Sequence, residues 1–143
     1  MISPWKRHAV RRWLVLAADH RGEGHAHPAQ CRRYEANGGR VVGAIRHPLG
    51  TTDYSGFLQQ ASRSRAQVIG LANASPDTGN AIRHAAEFRV TRNQRLVAFL
   101  MFVNDVHAVG LDAAQGLLLM EAFYWDIDDR TRAFSRRFQA GRR

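Results

Sequence analysis

Short apolar runs, each stopped by turn residues and separated by stretches long enough to hold a helix, constrain this chain more than any other feature. From Val41 the run VVGAI ends at His47-Pro48-Leu49-Gly50, which reads as a buried strand closing in a turn. Thr51, Thr52 and Asp53 then offer helix caps, and Tyr54, Phe57, Leu58 and Ala61 recur on one helical face. VIGLA over 68–72 predicts a second strand. Ser75-Pro76-Asp77 reads as an N-cap, a proline at the first helical position and an acid in the first turn, ahead of a helix carrying Ile82, Ala85 and Ala86 on one side. Residues 96–103 form the most apolar run and predict a third strand covered on both faces. A short helix around 106–111, a fourth strand over 116–124, and a last helix capped by Asp128 or Asp129 with Phe134 and Phe138 four apart complete the pattern.

Strands alternating with helical connections specify right-handed βαβ units, so the expected class is α/β, a Rossmann-like parallel sheet flanked by helices. At 143 residues there is room for one domain. The 45% hydrophobic and 23% charged content excludes collagen, a wholly disordered chain and a rod. Residues 1–33 differ from the rest. Trp13 to Ala18 (WLVLAA) predicts one more strand, at a sheet edge, but RGEGHAHPAQCRR from Arg21 has no period where a helix is expected.

The net charge of +9 invites a nucleic-acid reading, yet much of the excess sits at the two ends, with four arginines and no acid in 136–143. A nucleic-acid partner is therefore not expected; binding that weakened steeply with salt would reverse that. No G-x-x-x-x-G-K-[ST] loop is present, Gly22 and Gly24 are followed by His27 where a dinucleotide motif needs a third glycine, and there is no G-x-S-x-G elbow. Neither a cofactor nor an enzyme activity is expected. His25, His27 and Cys31 could supply three metal ligands, but their spacing matches no zinc pattern, so no metal site is assigned. Arg11-Arg12 precedes only six apolar residues before Asp19, short of the roughly 7 to 15 of an export signal's core. On that count the chain has no credible signal peptide, and a chain made without one stays in the cytoplasm.

Open parallel sheets bind ligands at the carboxyl ends of their strands, where loops diverge and helix N-termini present free N–H groups. Those ends are Asp19, His47, the trio Asn73, Ala74 and Ser75, then Asn104 and Asp105, and finally Tyr124, Trp125 and Asp126. Small polar residues at a helix N-terminus suit a carboxylate or an amide, whereas Asp105 suits an ammonium or hydroxyl group. Capping of helices by Ser75 and Asp105 is the competing, purely structural role.

The order of blocks resembles the type I periplasmic solute-binding proteins of branched-chain amino acid ABC transporters, including the subgroup taking up aromatic and related organic acids. The resemblance rests on EANGGRVVGAIRHPLGTTDYSGFLQQ from Glu35, AQVIGLANA from Ala66, DTGNAIRHAAEF from Asp77, NDVHAVGLDAAQGLLLMEAFYWD from Asn104 and TRAFSRRF from Thr131, with a weaker match of RRWLVLAAD from Arg11. It implies a single lobe of a type I periplasmic binding protein fold over about 34–139, preceded by a poorly patterned segment 1–33 and followed by a basic tail 140–143. It further implies a small carboxylate-bearing solute contacted by Asn73, Ala74, Ser75, Asp105 and Asp19, an ABC permease as partner, and a periplasmic location. It leaves the oligomeric state open. The loss of likeness before Tyr34 is what an out-of-frame or mis-called start would produce, in which case the chain is a non-functional remnant. A small Rossmann-like ligand sensor or enzyme keeps the same fold without the transporter.

Overall fold

The computed structural model describes residues 12–19, 35–36, 38–74, 76–121 and 123–141. Within them five strands run β1 (Arg12–Asp19), β2 (Arg40–Pro48), β3 (Val68–Ala72), β4 (Arg95–Ala98) and β5 (Leu118–Leu119). The helices are α1 (Ser55–Arg63), α2 (Asp77–Glu87), α3 (Val103–Val109) and α4 (Asp129–Ala140), with a 3-10 turn at Val90–Arg92. All strand pairs are parallel and the sheet order is β2-β1-β3-β4-β5.

Strand periodicity divides the core. Leu14, Leu16, Ile69, Leu71, Leu96 and Ala98 point to one face, where they meet Tyr54, Leu58 and Ala61 of the α1 segment and Ala81, Ile82 and Ala85 of α2. Val109 of α3 joins the same cluster. Trp13, Val68, Val97 and Phe99 occupy the other face. That two-sided burial is why these strands read as continuous apolar runs. Burial of a dozen or so such side chains, each contributing about 1.5–3 kcal/mol, is the main term holding the layer together.

Four expectations need correction. WLVLAA lies inside the sheet, between β2 and β3, not at its edge, and its six residues are all buried. The third apolar run stops being strand at Ala98, because Phe99 and Leu100 bend and Val103 already opens α3, which ends at Val109. The expected fourth strand reduces to Leu118–Leu119, since β4 leaves only Val97 and Ala98 to pair with it. Pro76 stands at the N-cap of α2 and Asp77 is its first residue, one position later than the sequence suggested. The expected helices with faces at Tyr54, Leu58 and Ala61, and at Ile82 and Ala85, stand as read, as do β3 and the Asp128 cap of α4.

Local interactions fix the connections that carry the site. The αL residue Arg89 (φ 55°) reverses the chain after α2, while Gln94, buried at the entry to β4, donates through Nε2 to the carbonyls of Ala61 (3.0 Å) and Ala66 (2.9 Å). α4 behaves differently: it buries no residue, and Phe134 and Phe138 are half exposed. Its order is local, through the Asp128 carboxylate accepting from the Thr131 amide at 2.8 Å and the Thr131 hydroxyl accepting from the Asp128 amide. Those bonds hold the Asp128 carboxyl below its ordinary value.

Candidate functional site

In a sheet of order 2-1-3-4-5 the connections leave in opposite directions from β1 and β3, which opens a crevice at their carboxyl ends. Asp19 ends β1, half-buried and in register with Pro48 of β2. Asn73 and Ala74 follow β3 directly. Asp19, Asn73 and Ala74 therefore stand at the same carboxyl edge, at the ends of two adjacent strands. Asp105 stands farther along the same edge, in the first turn of α3 after β4. Ser75 lies outside the described residues, as do His20, His25, His27 and Cys31.

Two of the candidates have local structural roles. The Asp105 carboxylate accepts from the Phe102 amide at 2.9 Å, closing the first turn of α3, while the side chain stays half-exposed. Capping uses one carboxylate oxygen and leaves the charge at the sheet edge. Ala74 is exposed and its carbonyl accepts from the Thr78 amide at 3.1 Å, which starts α2.

Asn73 is different. It is 4% exposed, its Oδ1 lies 3.0 Å from Nε2 of His47, and its Nδ2 is buried with no partner. Since buried polar atoms are nearly always paired, the unpartnered amide nitrogen sets Asn73 apart from the capping residues. Two more orphans follow within five residues, Oδ1 of Asp77 and Oγ1 of Thr78. Asp77 and Thr78 were not singled out as binding residues from the sequence. Asp77 was legible only as a first-turn acid, and its burial depends on the β2–α1 loop folding over it.

That loop is tied to α2 by three side chains. The Gly50 amide donates to Oδ2 of Asp77 (3.1 Å), Nδ2 of Asn80 donates to the Thr51 carbonyl (3.3 Å), and the Tyr54 amide donates to Nδ1 of His84 (2.9 Å). Gly50 takes φ 76°, which glycine alone adopts without strain. Behind the loop His47 and Tyr54 are buried edge to face with ring centroids 4.8 Å apart. Burial, reinforced by the nearby Asp77 charge, pushes the Tyr54 hydroxyl well above the usual phenol range, so it stays protonated. The result is a rigid polar shelf at the β2 and β3 ends.

Two concavities lie elsewhere. One of about 780 Å³ is lined by Phe123, Asp128 and the exposed side of α4, and one of about 300 Å³ lies at the amino ends of β4 and β5. Neither contains a sequence-predicted site residue. Among the described residues no three His, Cys, Asp or Glu side chains group as a metal site would require, and no helix is long and apolar enough to cross a membrane.

A family model described as periplasmic binding protein matches residues 3–142, a span that takes in both the stretch from Arg11 with its weaker likeness and the residues before Tyr34 where the sequence showed none. Among solved structures, a periplasmic binding protein from Burkholderia mallei is 43% identical with a TM-score of 0.79, over 95% of this chain and 36% of its own. A branched chain amino acid ABC transporter periplasmic ligand-binding protein from Burkholderia xenovorans is 35% identical with a TM-score of 0.80, over 93% of this chain and 36% of its own. An ABC transporter solute-binding protein from R. palustris, in complex with 4-hydroxybenzoate, is 25% identical with a TM-score of 0.73, over 96% of this chain and 38% of its own. The chain thus spans a little over a third of the length of these solved relatives. No match was found among curated proteins.

Proposed function

The chain belongs to the periplasmic binding protein family, and from that premise we propose that it forms one wall of a solute-binding cleft, within the substrate-binding component of an ABC transporter. The solute is a small carboxylate-bearing molecule, an amino acid or an aromatic acid, held at the carboxyl ends of β1, β3 and β4. Asn73, Ala74 and Ser75 meet it after β3, Asp105 after β4 and Asp19 after β1. The role is binding, not catalysis. The partner is a membrane permease and the working location the periplasm, both by family resemblance.

The observation that supports this reading most is Asn73, a buried amide at the switch point of the sheet with one polar atom unpartnered. The neighbouring shelf supplies what a binding wall needs, because its side chains are already fixed by hydrogen bonds before any solute arrives. A wall alone leaves the solute exposed to water. Charged hydrogen bonds then lose the low-dielectric advantage of a closed site, and the affinity of the isolated chain is weak.

Thermal melting of the purified chain with millimolar leucine, phenylalanine, 4-hydroxybenzoate and benzoate tests the proposal. A solute present at 100 times its dissociation constant adds about 2.7 kcal/mol to stability. The expected result is a cooperative transition that one class of acid raises; a cooperative transition that none of them moves at any concentration removes the binding role from this chain.

A further inference from the structure

His47 and Asn73 meet over the end of β1, since β2 and β3 flank that strand and Ala18 is in register with His47. The His47 ring is 1% exposed and each of its nitrogens has a defined neighbour. Nδ1 lies 2.9 Å from the Pro48 carbonyl oxygen and 3.3 Å from Oγ1 of Thr51. Nε2 lies 3.0 Å from Oδ1 of Asn73, and the Tyr54 hydroxyl stands 3.3 and 3.5 Å from the two nitrogens.

A carbonyl oxygen has no proton to give, so the Pro48 contact places the proton on Nδ1. In a neutral imidazole Nε2 is then a lone pair. With the amide oxygen facing it, two acceptors oppose each other and the Asn73 Nδ2 is left buried without a partner. Turning the Asn73 amide by half a revolution cures both faults at once, because Nδ2 then donates to Nε2. The nitrogen and oxygen of an amide have nearly the same shape, so hydrogen bonding decides between the two orientations.

We infer that His47 is the positioning residue of this edge: its Nδ1-protonated tautomer, fixed by the Pro48 carbonyl, turns the Asn73 amide so that its carbonyl oxygen is the atom left for a solute. The unpartnered Oδ1 of Asp77, four residues on, is likewise an acceptor, and the third unpartnered group, the Thr78 hydroxyl, can accept as well as donate. Two acceptors call for a donor. The β3–α2 turn therefore takes the hydroxyl or ammonium end of the solute, and the solute's carboxylate lies away from it. This selectivity rests on the cleft proposed above; the amide orientation does not.

Nitrogen-15 NMR of the full chain without solute tests the orientation. The expected spectrum has His47 Nδ1 protonated, Nε2 at the shift of an unprotonated acceptor, and a scalar coupling across the hydrogen bond between Nε2 and Asn73 Nδ2. A proton on Nε2, in either a neutral or a charged ring, overturns the inference. A second arm titrates the chain with 4-hydroxybenzoate and 4-methoxybenzoate, which differ in the donor. Loss of the donor is expected to weaken binding about tenfold. Equal affinities, or binding of neither, alongside the expected coupling would overturn the selectivity and count against the cleft while leaving the amide orientation standing.

Discussion

The backbone amide of Tyr54 donates to Nδ1 of His84 at 2.9 Å, so a side chain of α2 satisfies one of the free N–H groups at the start of α1. Helix N-termini leave such donors without intrahelical partners, and Tyr54 itself makes no side-chain cap. The contact also ties together the two helices that hold the β2–α1 loop against Asp77. Removing the ring strands the amide, so His84→Ala is expected to cost about 1–3 kcal/mol in urea unfolding. A loss below about 0.5 kcal/mol would mean that water replaces the ring without penalty.

Gly70 sits beneath the Phe99 ring in the middle of the sheet. A Cβ there would lie 2.8 Å from Cε2 of Phe99, inside van der Waals contact, and Phe99 is 8% exposed with little room to withdraw. Gly70→Ala is expected to destabilise by about 1–3 kcal/mol, and combining it with Phe99→Leu is expected to cost less than the sum of the two single changes. Additive costs would show that the two residues do not press on each other.

Arg89 holds φ 55° and ψ 31° where the chain leaves α2, a left-handed conformation that favours glycine. Arg89→Gly relieves the strain of placing a Cβ there, partly offset by the greater freedom of glycine in the unfolded chain. The expected net gain is about 1 kcal/mol, read as a higher Tm. An unchanged or lower Tm would place a compensating contact on the Arg89 side chain.

Much of this architecture was legible from residue order alone. β1 and β3 coincide with apolar runs because their two-sided burial demands apolar residues at nearly every position, whereas the edge strand β2 is largely half-buried or exposed and runs on past the apolar stretch through His47 to Pro48. The same rule misled beyond Ala98: Phe99 and Met101 are buried like the strand before them, yet they lie in a bend and the loop that follows it, which the sequence cannot distinguish from more strand. Asn73 was readable as the first polar residue after a buried run. The shelf behind it was not, since the links of Asp77 to Gly50 and of His47 to Asn73 join residues more than twenty positions apart and depend on loop geometry.

Asp105 separates a cap from a contact. Asp105→Asn keeps a carbonyl oxygen for the Phe102 amide but removes the charge, so stability is expected to change by less than about 0.5 kcal/mol while solute affinity falls. Asp105→Ala removes both and is expected to cost about 1 kcal/mol in addition. Unchanged affinity in the Asn variant would reduce Asp105 to a helix cap.

The central claim is that solute binds at the carboxyl edge of the sheet, and a map of amide chemical shifts during titration with 4-hydroxybenzoate or leucine tests it most directly. The account predicts shifts concentrated at Asp19, at Asn73 to Thr78 and around Asp105, with α4 and the amino ends of β4 and β5 undisturbed. Shifts centred on Phe134 and Phe138, or on Gln94 and Leu117, would contradict it.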